Sequence, residues 1–181
     1  MNGYLPGDVW PADDEASVHI REVYSRYGLA MYLAQVLEHG IVNAVIFART
    51  LPTIRQYSNR SDWEVAFDQA YDSEFAKTFG NMLRTLESLD PPSDLMQVLR
   101  DAKVERDRLA HRFFREHDED FLGKSGRTKM IIECEEAIVR FSTADAKLET
   151  FIRPQRERYG ITSEWIETQV KAATSKAEAN S

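Results

Sequence analysis

The sequence predicts an all-α fold, a bundle of four long helices with a short C-terminal helix, and three observations predict it. Apolar residues recur at alternating spacings of three and four through most of the 181 residues. Pro52, Pro91, Pro92, Gly123 and Gly126 fall between the periodic stretches, where helices stop and start. No stretch alternates apolar and polar residues as a half-buried strand does.

Residues 1–12 hold Gly3, Pro6, Gly7 and Pro11 and read as an extended arm. The first helix is expected from about Asp13 to Leu51, on a seam of Val23, Tyr27, Ala30, Ala34, Leu37, Ile41, Ala44, Ala48 and Leu51, with Pro52 at its end. Ser61 and Glu64 form a capping box. The helix it opens carries Trp63, Phe67, Tyr71, Phe75, Phe79, Met82, Leu86 and Leu89, with Gly80 as a candidate break. A third helix, capped by Ser93 or Asp94, is expected to reach about His117 on a seam of Leu95, Leu99, Ala102, Arg106, Leu109 and Phe113. A fourth carries Met130, Cys134, Ala137, Phe141, Ala144, Leu148 and Phe151, and Pro154 kinks or ends it. A last short helix spans about Ser163 to Val170. The expected domain is therefore 13–170, followed by a frayed tail over 171–181.

The length suits one domain that buries its core without disulfide or metal. Cys134 is the only cysteine, so no internal disulfide forms, which fits a reducing compartment. The first twenty residues carry Asp8, Asp13, Asp14 and Glu15 and no apolar h-region, so a cytoplasmic protein without signal peptide is expected. Leu29 to Ala48 has the length of a membrane span but contains Gln35, Glu38, His39 and Asn43, so a buried helix is expected there and no membrane. The formal charge of −7 argues against extensive duplex binding and leaves room for a small basic site.

Several enzyme classes lose their footing. None of His19, His39, His111 and His117 follows a Glu by three residues, as a di-iron bundle requires. There is no His-Glu-x-x-His, Cys pair, P-loop or dinucleotide glycine fingerprint. No metal and no cofactor are expected.

One constellation stands out. Arg106-Asp-Arg-Leu-Ala-His111 is followed by Arg112, Arg115 and His117, a basic cluster in an acidic chain. Arg106 occupies a seam position that its neighbours fill with apolar groups, so its charge must be paired or face a cleft. Asp107 and His111, four apart, can touch on a helix, and an acid beside a His fixes its tautomer and raises its basicity. Arg108, Arg112 and Arg115 read by default as a solvated helix face. On the first helix, Glu38 falls on the apolar side, whereas Gln35, His39 and Asn43 form a polar stripe. Glu38 and Arg106, each a charge on an apolar seam, are expected to be partners.

The string Arg106 to Phe114, with a polar residue directly after the Arg and His111 after four more, resembles the signature of the HEPN superfamily of helical proteins. The likeness is close over about ten residues and loose over most of the chain. It implies a homodimer in which the motifs of two subunits meet at one cleft, and a metal-independent ribonuclease of the toxin or defence kind, with an antitoxin protein as partner. Arg106 and His111 would be the catalytic pair, Asp107 would orient them, and Arg108, Arg112 and Arg115 would hold RNA, with Glu38 in support. In a subset controlled by a nucleotidyltransferase, a Tyr follows the His by two residues; here that position is Phe113, which puts such control in doubt. The nearly all-round apolar run Leu29–Ala48 also points to a dimer. The alternative is an inactive helical adaptor that binds RNA or a protein. Residues five apart on a straight helix diverge by about 140°. Arg106 and His111 therefore meet only if the helix is distorted at the motif or the site is shared between subunits, and the shared site is expected.

Overall fold

The computed structural model describes residues 14–179; the arm expected over 1–12 lies outside them. Among the described residues the chain is all α-helical, without strands. The helices are α1 (Glu15–Arg49), α2 (Arg60–Phe75), α3 (Phe79–Glu87), α4 (Ser93–His111), α5 (Phe113–Glu116), α6 (Lys124–Glu157) and α7 (Ser163–Ala179). Short 3₁₀ turns occupy Leu51–Gln56 and Asp120–Leu122.

The structure refines several expectations about the elements. The second long helix is two helices: the chain leaves α2 at Ala76 and Thr78 caps α3 by accepting the Asn81 N–H, so Gly80 lies inside α3 and is not the break. The cap of α2 is Asn59, not Ser61; its side-chain oxygen accepts the Asp62 N–H at 2.9 Å, and its amide meets the Asp62 carboxylate at 2.8 Å, a reciprocal cap two residues upstream. Pro154 lies within α6, which continues to Glu157. The tail from 171 does not fray at once, since α7 runs to Ala179 with no buried residue along it.

α1 opens on Asp14, whose two carboxylate oxygens accept the Ser17 N–H at 3.0 Å and the Ser17 hydroxyl at 2.7 Å. By length and composition α1 is apolar enough to cross a membrane.

The described residues sort into two compact units. The first comprises those up to Leu37 with Arg100–Thr143. Its core is Val23, Ala30, Ala34 and Leu37 from α1, Ala102 and Leu109 from α4, Phe113 from α5, and Met130, Cys134, Ala137 and Phe141 from α6. Buried Arg127 closes the 3₁₀ turn by donating to the carbonyls of Phe121 at 2.9 Å and Leu122 at 3.2 Å. The turn presses on α6: a Cβ at Gly126 would lie 2.1 Å from the Asp120 carbonyl oxygen.

The second unit comprises Glu38–Leu99 and the residues from Ala144 onward. Ile41, Val42, Ala44, Val45 and Ile46 are all buried there, beside Phe79, Met82, Leu83 and Leu86 of α3, Leu95, Met96 and Leu99 of α4, and Ala144, Leu148 and Ile152 of α6. The buried residues 41, 42 and 44–46 account for the all-round apolar character of this part of α1 within one chain, so that part by itself gives no argument for a dimer. Buried Arg156 joins the end of α6 to the start of α7, donating to Glu149 at 2.7 Å, to the Ser163 hydroxyl at 3.1 Å and to the Ile161 carbonyl. Burial holds the Asp145 carboxyl above its usual range.

Two glycines of the first unit should respond oppositely to a methyl group. Nothing lies within 4 Å of a Cβ at Gly28, in the interior of α1. Gly28→Ala should therefore stabilise the fold by about 0.5–1 kcal/mol. Gly126→Ala should cost about 1–3 kcal/mol through overpacking against the turn backbone. Urea midpoints at unchanged slope measure both.

Candidate active site

α4 is a regular helix through His111, and the motif lies on its last turns. Leu95, Leu99, Ala102 and Leu109 are buried as the seam requires, and Arg106, on the same side, keeps 28% of its side chain exposed. Its guanidinium Nη1 donates to Asp107 Oδ1 at 3.0 Å, and Lys103 Nζ donates to Asp107 Oδ2 at 2.5 Å. Burial pushes the Asp107 carboxyl up, but the hydrogen bonds from Lys103 and Arg106 outweigh it and hold the group below the usual carboxylate range. Asp107 thus orients Arg106 and does not pair with His111, the contact that the i,i+4 spacing allowed.

His111 is the last residue of α4 and is exposed. With Arg106 and His111 on one regular helix, their directions differ by about 140°. A distortion does exist, one residue too late to reunite them. The chain departs from helical geometry at Arg112 (φ −133°, ψ −23°) and resumes as α5, so the third helix ends at His111 and not near His117. The cause is on α1. The Tyr27 hydroxyl donates to the Leu109 carbonyl at 3.2 Å, the acceptor that Phe113 N–H would use in an unbroken helix.

The three arginines expected to hold RNA do not share one environment. Arg108 is anchored: it donates to Glu105 at 3.0 Å, to Glu116 at 3.1 Å and to Glu133 at 3.1 Å, and its guanidinium lies 5.7 Å from the Phe113 ring centre. Burial lowers its affinity for the proton, but the surrounding glutamates raise it further. Arg112 and Arg115 are exposed, with Arg112 3.6 Å from Glu116. Glu38 is half-buried on α1, in the second unit. Of the polar stripe, Gln35 and His39 are exposed, and His39 sets its ring 4.3 Å from Phe75.

A second histidine was not singled out by its sequence setting. His117 is only 4% exposed. Its Nδ1 lies 2.8 Å from Asp120 Oδ2 and its Nε2 3.0 Å from Glu133 Oε2, and its ring meets Phe113 edge to face at 4.9 Å. Lys129 Nζ sits 3.0 Å from the same Asp120 oxygen. Hydrogen bonds from His117 and Lys129 hold the Asp120 carboxyl below its usual range. Both ring nitrogens are engaged, so His117 is an anchor for the α5 segment, and of the two histidines in this stretch His111 is the exposed one. The three-residue spacing of His117 and Asp120 was a readable hint.

Other chemistry finds little support in side-chain placement. Burial and the neighbouring Glu133 charge push the Cys134 thiol up to about 12, which makes it a poor nucleophile. Among the described residues no group of three or more His, Cys, Asp or Glu side chains is arranged to hold a metal. A cleft of about 330 Å³ in the second unit, lined by Ala44, Ala48, Leu89, Phe151 and Ile152, has Arg158 as its ionisable group and no acid–base pair. Comparison of the chain with protein-family models, with curated proteins and with solved structures returns no match.

Two outcomes test this geometry. Glu133→Ala removes one of three carboxylates from Arg108 and one of two from His117 and should cost about 1.5–3 kcal/mol, the range for hydrogen bonds to charged groups, read from urea unfolding. The Asp107 carboxyl is depressed in the folded state, so its contribution is present above the unfolded value and disappears as pH falls through the folded one. Asp107→Asn should therefore lower the urea midpoint at pH 7, and the gap from wild type should narrow below about pH 4.

Proposed function

We propose that this chain is a cytoplasmic, metal-independent endoribonuclease of the HEPN type, acting as a homodimer with Arg106 and His111 at a site shared by two subunits. The observation that carries the reading is the division of labour within one motif. Arg106 is half-buried and oriented by Asp107, while His111 ends the same regular helix exposed. One subunit cannot aim both at a single phosphate, so the arginine of one copy is completed by the histidine of the other.

The chemistry suits these groups. RNA carries its nucleophile, the 2′-hydroxyl. His111 takes that proton as the oxygen attacks phosphorus, and Arg106 offsets the charge growing on the phosphoryl oxygens. The P–O5′ bond breaks, and the departing 5′-oxygen takes a proton from water. The product is a 2′,3′-cyclic phosphate, which water can open. Arg112 and Arg115 contact flanking phosphates, and Arg108 supports the fold around them. An antitoxin protein that covers His111 would silence the enzyme.

One observation favours the other reading, an inactive helical adaptor. The side chain of Arg108, at the centre of the basic cluster, is engaged by three glutamates, which leaves fewer cations for phosphate than the sequence promised.

Incubation of the purified protein with total RNA in EDTA decides between them. Wild type should cleave and leave cyclic-phosphate ends. Arg106→Ala and His111→Ala should each lower the rate by about a hundredfold or more. Full activity in His111→Ala would end the mechanism, and inert wild type across RNA substrates would favour the adaptor.

A further inference from the structure

We propose that the cleft at the ends of α1, α3 and α6, in the second unit, binds a small amphipathic carboxylate. Its alkyl chain would lie on the apolar walls and its head at Gln155 and Arg158. The inference is independent of the ribonuclease reading, and its test needs no RNA.

The cleft opens where close packing between α1 and α6 stops. A Cβ at Gly40 would lie 3.2 Å from the Leu148 side chain, so the two helices are in tight contact there. Ala44 and Ala48 carry the same face of α1 through its next two turns with only a methyl group each, and a space of about 330 Å³ is left. That volume falls at the lower end of small-molecule sites, about 300–1,000 Å³. Leu89, from the turn after α3, and Phe151 and Ile152 of α6 complete the apolar wall. Water against such a wall is readily exchanged for an alkyl chain.

Two polar groups share the lining, three residues apart: the half-buried Gln155 amide and the exposed Arg158 guanidinium. Among the described residues neither side chain takes part in a hydrogen bond or ion pair. Arg158 differs in this from its neighbours, since Arg153 and Arg156 both donate to Glu149, at 3.2 and 2.7 Å, and Arg49 donates to Ser88.

The acids nearby do not cancel this cation. Glu149 is held by those two arginines. Asp145 lies against Gly40, about 12 Å along α1 from Ala48. Glu87, Asp90 and Glu157 are exposed; none lines the cleft and none pairs with Arg158. Three helix ends bring negative partial charge, and turn N–H groups offset it: Thr50 donates to the Ile46 carbonyl at 2.9 Å, Leu89 to Leu86 at 2.9 Å and Tyr159 to Arg156 at 3.1 Å. One guanidinium balances one charge. It can give a carboxylate two parallel N–H bonds, and the Gln155 amide can give another. A phosphate monoester carries nearly two charges and would leave one without a partner.

The test is isothermal titration calorimetry of the full chain with hexanoate, octanoate, decanoate, octanol and octyl phosphate, each below its micelle concentration. Octanoate should bind one to one with a Kd of about 0.1–1 mM. Each added methylene should tighten binding about fourfold until the cleft is full. Octanol on wild type, and octanoate on Arg158→Gln, should each bind about tenfold more weakly. Arg158 is exposed, so this variant keeps the fold. Ala48→Leu fills the cleft and should abolish saturable binding, with a urea midpoint equal to wild type or higher. No saturable binding of octanoate at about ten times the expected Kd would overturn the proposal. So would equal affinity for octanoate and octanol, or octanoate affinity unchanged in Arg158→Gln, either of which would deny the head its site. Tighter binding of octyl phosphate than of octanoate would overturn the carboxylate assignment, and unchanged affinity in Ala48→Leu would remove the ligand from this cleft.

Discussion

The Glu133 carboxylate receives Arg108 from α4 and His117 from the end of α5, and so closes the chain over the residues that follow the motif. Arg108 also reaches Glu116 on α5, and His117 also reaches Asp120. Arg108 keeps three glutamates and His117 two carboxylates within hydrogen-bond reach, so the segment is held by several links that share Glu133. Around this cluster Phe113 is fully packed, Phe114 is turned outward beside Tyr24, and His111 is left at the helix end. The same cluster withdraws cations from the surface. A basic run in the sequence is therefore a weaker basic patch in the fold.

The seams of α1, α4 and α6 were legible because a 3.6-residue period writes buried positions directly into the sequence: Ala30, Ala34, Leu37 and Ile41, or Met130, Cys134, Ala137 and Phe141. The prominence of Arg106 was legible for the same reason, since a charge on an apolar seam breaks the pattern. The break after His111 was not. It coincides with a hydroxyl on α1 meeting a carbonyl more than eighty residues away, and no local propensity records such a bond. Arg127 and Arg156 were missed likewise, because an arginine that closes a turn by donating to carbonyls looks, in sequence, like any surface arginine. The Asn59 cap was misplaced by two residues because Ser61 and Asn59 both satisfy the capping pattern, and only the backbone at Asn59 (φ −145°, ψ 164°) has the extended geometry a cap requires.

The central claim is one of direction. An arginine and a histidine five residues apart on one regular helix face about 140° apart, and the bend at Arg112 comes after both. On the proposed reading, catalysis by this pair requires two chains. Subunit complementation tests that requirement most directly. Arg106→Ala and His111→Ala proteins, each inactive on RNA in EDTA, are unfolded together, refolded and checked for mixed dimers by native mass. The account predicts that the mixed dimer regains cleavage that neither parent has, because one of its sites retains an intact arginine and an intact histidine. A mixed dimer as inert as its parents, beside a fully active wild type, would contradict it.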